Sequence, residues 1–290
     1  MARIIPPSEL VLNEQGLPYH IGIGKEQLSE NIILVGDQGR VKSVGKYLSN
    51  IDHENHNREF FSITGSYNGK RVSVLSTGIG TDNIDIVVNE LDAAFNIDLQ
   101  SRTERKEHIS LNLLRLGTSG SLQPELDVDS FVASSYAIGL DNVLHYYQQD
   151  VEDVGLTEAV RSQMGEAFDF IRAYGIAGSK TLLNKVASTE TKGITLTASG
   201  FYGPQGRELR LKTRFQGLNE KLAATRYNGL QVTNYEMETS ALYALGSMLG
   251  HDCVTICLII ANRFKGAFSR NYQQRMEDLI EQSLHRLTSE

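Results

Sequence analysis

The sequence predicts an α/β protein built around a largely parallel sheet, and three features indicate this. Short apolar runs alternate with helical patterns, as in parallel strands that are joined by crossover helices. Glycines follow the apolar runs, which is typical of the point where a strand passes into a loop. Ligands of such sheets bind beyond the carboxyl ends of the strands. The loops that follow the runs are therefore expected to converge on a binding site.

Five apolar runs are interpreted as strands of this sheet. They cover residues 32–35, 72–77, 113–116, 193–198 and 254–261. Helices are expected over about 41–48 and about 83–95, and the second has apolar residues at helical spacing. The polar run 96–108 is expected to be a solvated surface insertion, and its helical pattern is weak.

Composition narrows the classes of function. The chain has 290 residues, with 28 Lys and Arg against 35 Asp and Glu, a net charge of −7. With 40% hydrophobic and 22% charged residues, it resembles soluble globular proteins, and its length allows two domains or one large one. The acidic balance disfavours nucleic acid as a partner. Local arginines still permit a small anionic substrate.

The N-terminal residues lack the apolar core of a signal peptide. No apolar stretch approaches the roughly 18 residues that cross a bilayer, so a cytoplasmic protein without a membrane partner is expected. Two cysteines exclude a disulfide scaffold. Cys253 and Cys257 lie in an apolar run and are expected to be buried, structural thiols.

Familiar cofactor motifs fail in this chain. The segment 22–25 has a Lys after two glycines, but Tyr19 and Glu26 occupy positions where a phosphate loop needs Gly and Ser or Thr. Gly78 and Gly80 begin a dinucleotide fingerprint that Asn83 breaks. The histidines show no metal-ligand spacing. No cofactor and no metal are therefore assigned.

Three arginines lie at or near the predicted loops, namely Arg40, Arg58 and Arg115. Guanidinium groups suit an oxyanion with several charges, and Thr118 adds a hydroxyl. A single arginine is more often a surface ion-pair partner. Arg115 differs because it interrupts an apolar strand, where a buried cation needs a partner or a ligand.

Two further segments each have two interpretations. Residues 234–239 are expected to start a helix. Their acids either stabilise its N-terminus or supply a carboxylate that accepts two hydroxyls of a sugar diol. Residues 201–207 hold an aromatic, an amide and a guanidinium group. They either stack on and read a planar ring, or form a turn with exposed polar side chains.

Seven segments in one order resemble the nucleoside phosphorylase superfamily, and uridine phosphorylases most closely. They are residues 35–41, 57–60, 76–80, 114–124, 201–207, 234–238 and 260–263, within a similarity that runs from about Tyr19 to Arg263. The resemblance implies a three-layer α/β/α fold with a central mixed sheet, as a single domain over 1–290. It also implies a homo-oligomer with shared active sites, either a dimer or a hexamer.

The resemblance implies a role for each site residue. Phosphate would be bound by Gly36, Arg40, Arg115 and Thr118, and by Arg58 from the neighbouring subunit. Ribose would be held by Thr118, Met237 and Glu238, and by His20 from the neighbour at the 5′ hydroxyl. The base would meet Phe201, Gln205, Arg207 and Arg263. Catalysis would rest on Arg115, Glu238 and Arg207.

The implied reaction is the reversible cleavage of uridine by phosphate, giving uracil and ribose 1-phosphate. Phosphate is the co-substrate and the nucleophile, so the protein needs only to position the substrates and stabilise an oxocarbenium-like transition state. Purine-cleaving relatives carry an Asp after the last apolar strand, where this chain has Ala261. Hydrolytic relatives lack the full set of phosphate arginines. Both features favour pyrimidine phosphorolysis.

Some departures from the family pattern keep alternatives open. Gly39 and Gly206 alter loops that carry site residues, and Gly203–Pro204 reverses the usual order. The region where relatives bind an interface potassium reads Thr-Asp-Asn at 81–83, and no ion is assigned there. The alternatives are a purine nucleoside phosphorylase or nucleosidase, and a nucleoside-binding homologue without activity.

Overall fold

A mixed sheet of twelve strands forms the centre of the molecule in the computed structural model, which describes residues 3–148 and 150–289. In chain order the strands are β1 (Asn31–Val35), β2 (Ser49–Asn57), β3 (Phe60–Tyr67), β4 (Lys70–Ser76), β5 (Ile97–Asp98), β6 (Thr103–Glu104), β7 (Asn112–Ser121), β8 (Phe131–Leu140), β9 (Tyr174–Ala177), β10 (Thr191–Ala198), β11 (Arg226–Tyr227), β12 (Leu230–Glu236), β13 (Asp252–Asn262) and β14 (Ala267–Phe268). β5 and β6 pair with each other, outside the large sheet.

The sheet combines parallel blocks with antiparallel pairs. Its order is β11-β12-β10-β8-β13-β7-β1-β4-β3-β2, with β9 beside β8 and β14 beside β13. The pairs among β13, β7, β1 and β4 are parallel, whereas β13–β8 and the β2–β3–β4 hairpins are antiparallel. The mixed sheet that the resemblance implies is confirmed. The parallel pairing predicted from the pattern holds in two blocks, β13–β7–β1–β4 and β8–β10–β12, and the two blocks meet in the antiparallel pair β13–β8.

Helices cover both faces of the sheet. They are α1 (Gln38–Gly45), α2 (Thr81–Asn96), α3 (Val154–Met164), α4 (Lys180–Val186), α5 (Leu218–Ala223), α6 (Thr239–Met248) and α7 (Tyr272–Thr288). Successive strand residues face opposite layers. Ile32 and Leu34 pack in one cluster with α2 and α6, while Ile33 and Val35 pack in another with α1, α4 and α7. The three-layer arrangement follows from this alternation.

The five predicted strands are present as β1, β4, β7, β10 and β13, and the two predicted helices as α1 and α2. α1 begins earlier than predicted because the Asp37 carboxylate accepts the Arg40 backbone N–H at 2.9 Å and caps the helix. β2 was missed because its residues are polar and largely exposed at the edge of the sheet.

The segment 96–108 lies at the surface, as predicted, but it contains the β5–β6 hairpin and no helix beyond the last residue of α2. The hairpin holds the N-terminal segment, because Arg102 accepts the Ile5 N–H at 2.8 Å and donates to Leu10 O at 2.6 Å. Cys253 and Cys257 are buried and free, as predicted. Across the described ranges, no helix is both long and apolar enough to cross a bilayer.

Candidate active site

A cavity of about 310 Å³ opens at the carboxyl ends of the central strands. Each of the five predicted strands or its following loop contributes to the lining, through Gly36, Ile79, Thr118, Phe201 and Ala261. The predicted convergence is therefore confirmed. The cavity has a buried charged end beside β7 and β12 and a more open end beside the loop 201–207.

The buried end is organised around Arg115 on β7. This side chain is 3% exposed and lies between two buried carboxylates. Its Nη1 is 3.1 Å from Glu236 Oε2, and its Nη2 bonds Glu238 Oε2. The other carboxylate oxygen of Glu238 accepts the Gly80 N–H at 2.8 Å. The Arg115 guanidinium, which interrupts an apolar strand, therefore pairs with two carboxylates at the carboxyl end of β12.

Burial and charge oppose each other in this cluster. Burial alone would lower the pKa of Arg115, but Glu238 and Glu236 together raise it above its usual value. Burial also raises the pKa of Glu238, and Arg115 counteracts that shift. The guanidinium therefore stays charged at any physiological pH. Next to it, burial raises the pKa of the Cys257 thiol to about 12, so the thiol stays protonated.

The segment 234–239 differs from its prediction. β12 continues to Glu236, and α6 begins only at Thr239. The Glu236 carboxylate accepts the N–H groups of Glu238 and Thr239 at 3.0–3.1 Å and the Thr197 hydroxyl at 2.7 Å. Glu236 therefore satisfies the helix start and, like Glu238, faces Arg115. The helix-start interpretation is confirmed for Glu236.

Arg40 forms the second cationic wall of the cavity. Its Nη2 is 3.1 Å from Asp37 Oδ2 and its Nη1 donates to Leu116 O at 3.2 Å. Burial lowers the pKa of Arg40, Asp37 raises it, and the nearby Arg115 lowers it again. The repulsion that Arg40 experiences from the guanidinium of Arg115 would be relieved by an anion bound near both groups.

The open end is built on the loop 201–207. The Arg207 guanidinium lies 3.7 Å from the centroid of the Phe201 ring and donates to Gln205 Oε1 at 2.6 Å. Arg263 holds the same glutamine, through its backbone oxygen and through Oε1 at 3.5 Å. Burial, and then the charge of Arg263, lower the pKa of Arg207 to about 10. The loop is therefore not a turn with free polar side chains.

Two predicted site residues lie apart from the cavity, side by side. Arg58 Nη2 donates to Tyr19 Oη at 3.3 Å, and the Tyr19 ring meets the His20 ring edge-on at 5.1 Å. Arg58 has a φ of +55° in the turn between β2 and β3, a conformation that costs free energy for a residue with a Cβ.

Most of the predicted site is brought together. The cavity is lined by Gly36, Arg40, Arg115, Thr118, Phe201, Gln205, Arg207, Met237 and Glu238. Arg263 contacts Gln205 from behind, and His20 and Arg58 do not line the cavity. Sequence reasoning missed Asp37, Tyr235, Glu236 and Phe268, which also line it. The second acid of the 234–238 segment was the available signal for Glu236, while nothing local pointed to Phe268.

A larger cavity of about 780 Å³ lies under the loop 202–220. Its charged side chains, such as Arg210, Lys212 and Arg214, are exposed to solvent. The smaller cavity holds buried ionised groups with shifted pKa values, which is the usual mark of a chemical site. We therefore place the candidate active site in the smaller cavity.

Among residues 3–148 and 150–289, one group of side chains has the spacing of metal ligands. Asp92, His108 and His251 place ligand-type atoms within 4.8 Å of one another. His251 Nδ1 accepts the Leu111 N–H at 3.2 Å, so Nε2 of the neutral ring carries the proton and faces Asp92 at 3.3 Å. A protonated nitrogen cannot bind a metal ion, and this cluster fits a histidine–carboxylate contact instead.

Comparisons with known proteins give the relatives of this chain. A family model described as the phosphorylase superfamily matches residues 30–287. A DeoD-type purine nucleoside phosphorylase of Alkaliphilus metalliredigens is 30% identical over 84% of this chain and 87% of its own length. A uridine phosphorylase of Thermococcus kodakarensis is 27% identical over 89% and 82% of the two chains.

A solved structure extends the likeness to nearly the whole fold. The nucleoside phosphorylase of Trypanosoma brucei, described as showing uridine phosphorylase activity, superposes with a TM-score of 0.86. It is 28% identical, over 97% of this chain and 100% of that protein. Relatives at similar identity thus bear both purine and uridine names.

Proposed function

The chain belongs to the phosphorylase superfamily, and we propose that it catalyses the reversible cleavage of uridine by phosphate to uracil and ribose 1-phosphate. The observation that carries the choice of base is the open end of the cavity. There Gln205 is bonded by Arg207 and Arg263, and Arg207 lies over the ring of Phe201. Amide and guanidinium groups match the carbonyl and N–H edge of uracil. At the adjacent strand end, Ala261 supplies no carboxylate that could protonate a purine.

Phosphate is assigned to the buried end. Arg115 and Arg40 supply paired guanidinium groups, and Thr118 and the backbone at Gly36 complete the lining. Because Arg115 is already bonded to Glu238, an anion that binds Arg115 competes with that carboxylate. Phosphate binding would thereby release part of Glu238 to accept the 2′ and 3′ hydroxyls of ribose. Met237 lies between the two carboxylates and would pack against the sugar.

Cleavage then needs stabilisation of the departing base. Negative charge develops on uracil as the glycosidic bond breaks, and Arg207 is the nearest cation in the loop that reads the base. With a pKa of about 10, it is protonated at neutral pH. The base would take the face of Phe201 that Arg207 covers, and the guanidinium would then move to the edge of the ring.

The assembly is also part of the proposal. His20 and Arg58 lie outside the cavity of their own chain, so we assign them to the site of a neighbouring subunit, in a dimer or a hexamer of single-domain subunits. We also propose that the protein is cytoplasmic. The proposed reaction requires phosphate as a co-substrate and needs no cofactor or metal ion. Purine nucleoside phosphorolysis is the second candidate, because a relative at 30% identity carries that name.

A competition assay separates the two candidates. Equal amounts of uridine and inosine would be incubated with the protein and phosphate, and the bases released would be measured by chromatography. Uracil should form much faster than hypoxanthine, together with ribose 1-phosphate. Faster release of hypoxanthine would replace uridine by a purine nucleoside as substrate. Release of free ribose would indicate a nucleosidase.

A further inference from the structure

Glu90 makes contacts that the proposed mechanism does not use. It lies on α2 and directs its carboxylate at the backbone of residues 20 and 21. Its Oε2 accepts the N–H groups of His20 and Ile21 at 3.0 and 2.8 Å. Its Oε1 lies 2.6 Å from Nδ1 of the His20 ring. The Glu90 side chain is only 12% exposed, so it is held there by the fold.

His20 is fixed from its other side as well. The Asn57 amide donates to Tyr19 O at 3.0 Å and to His20 O at 2.9 Å. The imidazole ring meets Tyr19 edge-on at 5.1 Å and Phe60 at 6.5 Å. The backbone of His20 is therefore held between α2 and β2, and its ring packs beside Tyr19 and Phe60.

The contact with Glu90 determines where the imidazole proton is. An ionised carboxylate only accepts hydrogen bonds, so Nδ1 must carry the hydrogen. Nε2 of the neutral ring then presents a lone pair. Within residues 3–148 and 150–289, no hydrogen bond to Nε2 is formed. The ring thus offers a single hydrogen-bond acceptor, on a side chain that is 31% exposed.

We propose that Glu90 is a positioning residue that fixes the Nδ1–H tautomer and the direction of His20, so that Nε2 accepts a hydrogen bond from the 5′ hydroxyl of the nucleoside. This inference rests on the proposed function, which places His20 at that hydroxyl in the neighbouring site. The inference also predicts that two kinds of analogue are poorer substrates. A 5′-deoxynucleoside has no hydrogen-bond donor for Nε2, and a 5′-phosphate places its oxygens against the Nε2 lone pair.

The variant Glu90→Gln tests the tautomer with little change in volume. The amide oxygen is best placed at the former Oε2 position, where it accepts two backbone N–H groups. The amide NH₂ then faces Nδ1, which must become the acceptor. The imidazole proton is expected to move to Nε2, so the ring would present a donor to the substrate. Asp85→Asn removes one carboxylate from the same helix, where Asp85 contacts Tyr147 and Asn89 instead of His20, and serves as the matched control.

Nitrogen NMR of histidine-labelled protein reads the tautomer without any substrate. The His20 signals are those that disappear in His20→Ala. They should show Nδ1–H in the parent and in Asp85→Asn, and Nε2–H in Glu90→Gln. An unchanged Nδ1–H tautomer in a folded Glu90→Gln protein would overturn the proposal, whatever the enzyme's substrate is.

Kinetics then test the substrate group. His20→Ala should lower kcat/KM for uridine about tenfold, as expected for a lost hydrogen bond. Glu90→Gln should lower it less, because the 5′ hydroxyl can also accept a hydrogen bond from Nε2–H. The same variants should change kcat/KM for 5′-deoxyuridine less than about twofold. If His20→Ala lowers kcat/KM equally for uridine and for 5′-deoxyuridine, His20 does not contact the 5′ hydroxyl. The assignment of His20 in the proposed function then fails. If Glu90→Gln alone lowers kcat/KM equally for the two substrates, Glu90 acts through the stability of the fold and its positioning role is overturned.

Discussion

The two ends of the cavity are built differently, and the contrast separates chemistry from selectivity. At the buried end, Arg115, Glu236 and Glu238 lie on or directly after strands and are 3–4% exposed. At the open end, Phe201 is 51% exposed on an irregular loop, and Arg207 rests on its ring. Charged side chains on strands are held rigidly, which suits the chemical step that does not depend on the base. A loop can change without unfolding the sheet, so differences in base preference are expected to arise there.

The largest effect should come from breaking the buried end at Arg115. Arg115→Met leaves two buried carboxylates without their cation, which should destabilise the protein by about 3–5 kcal/mol. It should also abolish phosphate-dependent cleavage, since the proposed phosphate site loses its buried guanidinium. Urea unfolding and steady-state kinetics measure the two effects. The control Arg115→Met/Glu238→Gln removes one of the stranded charges and should recover part of the stability but none of the activity. Full activity of Arg115→Met would show that phosphate is bound elsewhere.

At the open end, removing the charge should affect catalysis and leave stability nearly unchanged. Arg207→Met is expected to lower kcat by about 10²–10³-fold, as for the loss of a donor to a developing anion. The pKa of Arg207 is about 10, and deprotonation removes the charge, so kcat should fall as the pH rises through about 10.

The pH dependence of kcat in two variants of this loop serves as the control. Arg207→Met should lose the alkaline fall along with most of its activity, whereas Tyr202→Phe, in the same loop, should keep both. An alkaline fall that persists unchanged in Arg207→Met would assign it to another group.

Strand geometry near Arg115 gives a more local test. A Cβ on Gly117 would lie 2.3 Å from Arg115 Nη1 and 3.1 Å from Cys257 Sγ. Gly117→Ala should therefore displace the guanidinium and reduce kcat/KM by about 10²-fold, as expected for a misplacement of about 1 Å. Asn112→Ala at the other end of the same strand is the control, because Asn112 does not line the cavity and its side chain bonds Asn31 instead. Equal effects of the two substitutions would mean that Arg115 does not need its observed position.

The smallest effect concerns Arg58, which belongs to neither end of the cavity in its own chain. Its φ of +55° suits glycine, so Arg58→Gly should stabilise the protein by about 1 kcal/mol. The KM for phosphate should nevertheless rise, because the neighbouring site loses a guanidinium. Arg58→Ala should raise this KM equally without the gain in stability. An unchanged KM in both variants would remove Arg58 from the shared site.

The contrast between the two ends also explains what the sequence could predict. The strand ends and Arg115 were predictable because a charge inside an apolar strand is visible locally. The division of labour between Glu236 and Glu238 was not, since it depends on Thr197 and Arg115, which only the sheet brings near. The contact of Glu90 with His20 joins residues distant in sequence. Phe268 reaches the cavity through a short β13–β14 pairing that no local pattern marks.

The most direct test follows the ultraviolet absorbance of uridine with the purified protein, with and without phosphate. The proposed function predicts loss of uridine absorbance only when phosphate is present, with rates that saturate in both substrates. Loss without phosphate would mean hydrolysis, and the arginine pair at the buried end would need another role. No loss under either condition would contradict uridine as the substrate.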